Sequence, residues 1–298
     1  MEGVFKIGLS SMSMSEMRVA MSLLKKATNV QIELNRTPFK REFIDRATPV
    51  VWFGENVPGN IVTIGTNPSS REFLGRDKKL LTGSQSRLYI RSEGVSLEDY
   101  KQDEQQLKAS IKYFRTYFHR NTAYRNWFGK ENGAKLEGFL NGMRGSLYKT
   151  NAYTPVVHTD FFPIPTKSQM GKLREKKQLL HAAFTKNLLV ETLDFLAPSL
   201  IVVLGREHCK RFDTMNTNGK FGEVKSVDDF PAARYQLSTY SRSKIPVVGL
   251  HFKPSEQFLG LGGKSDVNGR SHGEYGKRSS LYHIGKEIQM DVDHTIIG

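Results

Sequence analysis

Asn60-Ile61-Val62-Thr63-Ile64-Gly65-Thr66-Asn67-Pro68-Ser69-Ser70 decides the fold of this chain. Its first half is a short apolar run with β-branched residues, the composition of a buried strand. Its second half is a polar loop that opens with Gly and closes with Pro and Ser. Such a loop leaves the carboxyl edge of the sheet, and in an open parallel sheet that edge is where ligands bind. The side-chain amide of Asn67 then faces a substrate. The same residue types also build turns that carry no chemistry, so this loop identifies nothing by itself.

Three further segments repeat the design. Leu147-Tyr148-Lys149-Thr150 runs into Asn151-Ala152-Tyr153-Thr154-Pro155, Ser199 to Leu204 ends at Gly205, and Pro246 to Leu250 ends at His251-Phe252-Lys253-Pro254-Ser255. Between them, Gln178 to Leu196 spaces its apolar residues by three and four, which predicts a helix. Strands alternating with helices predict an α/β fold whose parallel sheet is covered on both faces. Another helix is expected from Ser15 to Thr28, capped by Ser15. The segment from Leu74 to Gly145 is a long, charged insertion with a predicted helix from Leu97 to Phe118, of a size that carries specificity or forms a lid. The expected organisation is an N-terminal helical extension, 1–49, followed by one α/β domain, 50–298, that holds the insertion at 74–145.

Composition favours a polyanionic partner. The chain has 298 residues with 44 Lys and Arg against 30 Asp and Glu, a formal charge of +14, as expected of a phosphate-binding surface. No apolar run approaches the ~20 residues of a membrane span, and Met1 to Ser15 lacks the pattern of a secretory signal. The lone cysteine, Cys209, allows neither a disulfide framework nor a cysteine-rich zinc site, so a cytoplasmic location is expected.

In order and strand-end placement, these landmarks resemble the uracil-DNA glycosylase superfamily over roughly Val50 to Leu261. Gly65-Thr66-Asn67-Pro68 resembles the family's first motif in the version that carries Asn. Asn151 resembles the strand-end Asn that reads the flipped pyrimidine, and Leu200 to Gly205 resembles the strand closed by Gly. Lys253-Pro254-Ser255 resembles the second motif, usually His-Pro-Ser. The resemblance implies a three-layer α/β/α fold around a central, mostly parallel four-stranded sheet. It also implies a DNA substrate, excision of uracil or a modified pyrimidine by hydrolysis of the N-glycosidic bond, and no cofactor. A hypermodified phage base, which would make the activity a defence against viruses, and a catalytically silent DNA-binding relative stay open as alternatives.

The resemblance also implies roles. Asn67 cannot be a base, so it orients water, with Gly65 and Thr66 beside the extruded base. Lys253 stands where the family has His; either it or His251 stabilises the departing base. Pro68, Ser69, Ser70, Pro254 and Ser255 clamp the DNA backbone, and Leu259 or Leu261 is the apolar wedge that fills the vacated stack. In the insertion, Phe114, Tyr117 and Phe118 share a helix face and are expected to pack inward, while Arg120 and Arg125 are candidate phosphate contacts. His158-Thr159-Asp160 either borders the pocket or forms a turn. His158, Asp160 and His251 lack the spacing of a metal site, so no metal is expected.

Overall fold

The strands β1 (Ile61–Gly65), β2 (Gly145–Ser146), β3 (Thr154–Asp160), β4 (Leu200–Leu204), β5 (Lys225–Val227), β6 (Phe230–Thr239) and β7 (Pro246–Leu250) form one sheet in the order β2-β3-β1-β4-β7-β6-β5. The computed structural model describes residues 11–148, 151–174, 176–256 and 265–297. Strands β2, β3, β1, β4 and β7 run parallel, and β6 and β5 close one edge as an antiparallel hairpin. Every residue of β1 and of β4 is buried, as expected of parallel strands covered on both faces.

The helices are α1 (Met14–Asn35), α2 (Leu97–Gln102), α3 (Glu104–Arg115), α4 (Arg125–Phe128), α5 (Lys135–Gly142), α6 (Lys176–His181), α7 (Ala183–Leu196), α8 (Arg206–Met215), α9 (His272–Tyr275) and α10 (Arg278–Ile297). They flank the sheet in the expected three-layer α/β/α arrangement. The four expected parallel strands are β3, β1, β4 and β7, and the sheet is longer than expected by β2 and the β5/β6 hairpin.

The second core strand is displaced from its expected place. It is β3, from Thr154 to Asp160, and not the run from Leu147 to Thr150, of which Lys149 and Thr150 lie outside the described residues. His158, Thr159 and Asp160 disguise it, because three polar residues in a row do not read as a core strand. Burial is tolerated because each has a partner: Thr63 bonds His158 at 2.8 Å, Thr159 donates to the Val51 carbonyl at 2.8 Å, and His158 faces Asp160 at 3.4 Å.

The expected helices differ at their ends for local reasons. The N-cap of α1 is Ser13, whose side chain accepts from the Glu16 amide while Glu16 bonds back to Ser13, a reciprocal capping box. Helix α1 continues to Asn35, and its buried Ala20, Leu23, Leu24 and Ala27 belong to the main core, with α7, α2 and α3 as neighbours. The helix expected from Leu97 to Phe118 breaks at Asp103, which caps α3 with its carboxylate, and it tightens into a 3₁₀ turn at Tyr117–His119. Ala182 similarly separates α6 from α7. Phe114, Tyr117 and Phe118 are buried, as expected from their shared face.

Helices α5 and α10 meet through glycines. A Cβ on Gly285 would collide with the Phe139 carbonyl, and one on Gly142 with the Tyr282 carbonyl. In an open helix interior Gly→Ala gains up to about 1 kcal/mol; here overpacking of about 1–3 kcal/mol opposes it. Gly285→Ala is therefore expected to lower the urea midpoint with an unchanged slope. A higher midpoint would show that the helices separate freely.

Candidate functional site

The carboxyl ends of β1, β3 and β4 open into a cleft of about 490 Å³, lined in part by Gly65 to Ser70, Glu72, His158, Asp160, Leu204, Lys253 and Ser255. This is the edge where an open parallel sheet binds ligands, and the volume lies in the usual range for ligand pockets. Phe53, Tyr124, Trp127 and Phe128 supply aromatic walls, and Thr166, Ser168 and Gln169 supply a polar one. The first motif and Lys253, 185 or more positions apart in sequence, thus share one cavity.

Register builds the floor. Thr63 pairs with His158 and Gly65 with Asp160 across β1 and β3, and alternation puts all four residues on one face. A Cβ on Gly65 would stand 2.5 Å from Asp160 Oδ1 and 2.9 Å from His158 Cε1, so only glycine leaves room for the carboxyl. If the Thr63 hydroxyl donates to His158 Nδ1, Nε2–H is left to face Asp160 Oδ1. The ring is enclosed by Phe53, Trp127 and Phe128, with centroids 5.6, 5.0 and 5.3 Å away.

The first-motif loop is fixed by its own side chains. Asn67 Nδ2 donates to Thr166 Oγ1 at 3.1 Å and to the Pro68 and Ile164 carbonyls, which leaves the amide oxygen to accept from a water or ligand. Thr66 bonds His208 Nε2 at 3.0 Å while His208 Nδ1 donates to the Leu204 carbonyl at 2.6 Å. Burial, reinforced by Lys253, pushes His208 down to about 3, so it is neutral and its Nε2 accepts a hydrogen bond from the Thr66 hydroxyl. Ser69 accepts from the Arg71 amide and is exposed.

Lys253 Nζ pairs with Glu256 at 3.1 Å, and the same carboxylate accepts from Trp127 Nε1 at 3.2 Å. Of the two second-motif candidates, Lys253 lines the cleft. His251 Nε2 donates to Gln236 Oε1 on β6 at 2.7 Å and lies outside the cleft lining, because its strand-end turn aims it at the hairpin. Ser255 lines the cleft, but its hydroxyl donates to the Trp127 carbonyl and accepts from the Leu136 amide at 2.9 Å; it ties the insertion to this loop in place of gripping a phosphate. Pro254 is buried beside it and borders a neighbouring hollow.

Other expected site residues stand elsewhere. Asn151 is exposed before β3 begins, at the opposite end of the strand from Asp160, since the core strand starts later than expected. Arg120 is half-buried, gives its guanidinium to the Ser86, Arg87 and Tyr113 carbonyls, and lies 4.2 Å from the Tyr113 ring centroid; that is a structural role. Arg125 opens α4, outside the cleft lining. Leu259 and Leu261 lie outside the described residues.

The residue that the sequence reading missed is Glu72. It ends the 3₁₀ turn Ser70–Glu72, is 3 % exposed, lines the cleft and accepts from the Tyr117 hydroxyl at 2.5 Å. Desolvation pushes its carboxyl up to about 7 despite the Tyr117 bond and nearby Arg87 and Arg120, and Asp160 adds to the rise. The available signal was an acid only five positions past Asn67. Arg87 was also passed over; its guanidinium stacks 5.0 Å from the Tyr124 ring at the cleft wall.

The raised Glu72 pKa makes stability depend on pH. The folded state keeps the proton where the unfolded chain, near 4.5, has released it, so this stabilisation is full below about pH 4.5 and is lost as pH rises through about 7. Ionising the buried group costs about 3 kcal/mol by that shift. Glu72→Gln is thus expected to gain up to about 3 kcal/mol over the parent at alkaline pH and little at acid pH. Denaturation at several pH values checks this; a constant difference would mean that Glu72 ionises freely.

Among the described residues no helix is long and apolar enough to cross a membrane, and no group of three or more His, Cys, Asp or Glu is placed to hold a metal ion. Comparison of the chain with protein-family models and with curated proteins finds no match in either.

Proposed function

We propose that the chain is a DNA glycosylase that extrudes a pyrimidine and hydrolyses its N-glycosidic bond. The observation that carries this reading is the convergence of Gly65-Thr66-Asn67-Pro68 and Lys253 on one aromatic-walled cleft at the carboxyl edge of a parallel sheet. A base in a duplex is shielded by its neighbours, so an enzyme acting on its sugar bond takes it out of the stack. Phe53, Tyr124, Trp127 and Phe128 give the cleft apolar walls suited to a flat ring, and Asp160 offers acceptors to an N–H on its edge. The +14 charge favours a polyanionic strand. A DNA substrate implies the cytoplasm, with the nucleoid as partner in a bacterial cell.

Breaking the C1′–N1 bond leaves an electron pair on the base and positive character on the sugar. The Lys253 ammonium, anchored by Glu256, stabilises the first. The amide oxygen of Asn67 holds the water whose oxygen bonds to C1′, because its Nδ2 is committed to Thr166. Asp160 replaces the more distant Asn151 as the reader of the base edge. Uracil and modified pyrimidines, including a hypermodified phage base, all fit this chemistry.

Oligonucleotides carrying different bases, incubated with the protein and then cleaved with alkali at abasic sites, test the reading. Release of at least one base is expected, and release of none would reject it. Lys253→Met is expected to slow release by about 10²–10³, the scale of one lost preorganised donor, with DNA affinity nearly unchanged. Asp160→Asn adds a donor at the floor and is expected to change the ratio of rates among pyrimidines, whereas Asn151→Asp leaves that ratio alone. Equal losses for every base after Asp160→Asn would remove Asp160 from base reading.

A further inference from the structure

We propose that Glu72 is the proton acceptor for the hydrolytic water, supplying from five residues downstream the carboxylate that Asn67 cannot provide. This rests on the glycosylase reading above. Glu72 ends the 3₁₀ turn Ser70–Glu72 that follows the first-motif loop, lines the same cleft as Asn67 and lies near enough to Asp160 on the floor to feel its charge. Its Oε2 is held by the Tyr117 hydroxyl at 2.5 Å. Among the described residues no hydrogen bond is recorded to Oε1, so that oxygen is left for a ligand or water. A carboxyl that is 3 % exposed, with one oxygen bonded and the other uncommitted on a cavity wall, is costly to keep for packing alone.

The step balances without a co-reactant. Water oxygen bonds to C1′ as the C1′–N1 bond breaks; the bonding pair leaves with the base, and one water proton passes to Glu72. Asn67 orients the water and Glu72 takes its proton. Tyr117 donates to the carboxylate, Arg87 and Arg120 favour its charge, and Asp160 opposes it. With ionisation centred near neutrality, the group is poised to exchange protons at working pH. Acting as a base it must be ionised, so release falls as pH drops through about 7.

Single-turnover base release from the best oligonucleotide, followed from pH 5 to pH 9 beside DNA binding, tests the assignment in parent, Glu72→Gln and Tyr117→Phe proteins. Glu72→Gln is expected to slow release by about 10²–10⁴, to retain DNA binding and to lose the acidic limb. Tyr117→Phe removes a bond that favours the charged carboxylate, and is expected to move that limb to higher pH. If the parent releases base and Glu72→Gln matches its rate, or keeps the same acidic limb, the assignment fails while the glycosylase reading stands. If the parent releases none, that reading fails first. Should Glu72→Gln not fold, ¹³C titration of the Glu72 carboxyl in the parent decides: a midpoint near neutrality that shifts on DNA binding supports the role, and one at the ordinary glutamate value overturns it.

Discussion

The pairing of Gly65 with Asp160 across β1 and β3 is the constraint on which the cleft depends. Parallel register fixes which side chains share a face, and here it aligns Thr63, Gly65, His158 and Asp160. The missing side chain at Gly65 admits the Asp160 carboxyl over β1, and Thr63 orients the imidazole that faces it. A slip of one residue would turn His158 and Asp160 to the opposite face and leave two polar groups against apolar helices. Register and site chemistry are therefore one specification.

Charge is arranged in opposition. The chain as a whole is strongly basic, whereas the cleft contains Glu72, Asp160 and Glu256. The excess of Lys and Arg sets a positive field that reaches over a Debye length of about 10 Å. Inside the cleft local burial dominates, and at Glu72 desolvation outweighs the two nearby arginines. Lys253 is tempered by Glu256.

The parallel core was legible wherever strands read as apolar runs: β1, β4 and β7 lie where periodicity puts them. β3 was not legible, because buried polar residues satisfied by distant partners leave no apolar signal, and Asn151 therefore stands at the opposite edge of the sheet from the one expected. Asn67 and Lys253, singled out by their motifs, both line the cleft. Glu72 was hidden because nothing in its neighbours tells burial from exposure; only the Tyr117 contact, 45 positions away, does so. Arg120 shows the converse, a basic residue in an aromatic run whose donors are spent on carbonyls.

The two hydrogen bonds of Ser255, given to the Trp127 carbonyl and accepted from the Leu136 amide, close loops of 128 and 119 positions. Contacts of such separation form late, after the entropy of loop closure has been met by the rest of the core. The insertion can collapse around its own aromatic residues early, yet its Trp127 wall acquires this anchor only once the second-motif loop after β7 is in place. Assembly of the cleft should therefore follow assembly of the sheet, and a folding intermediate with a formed insertion would still lack a finished cavity.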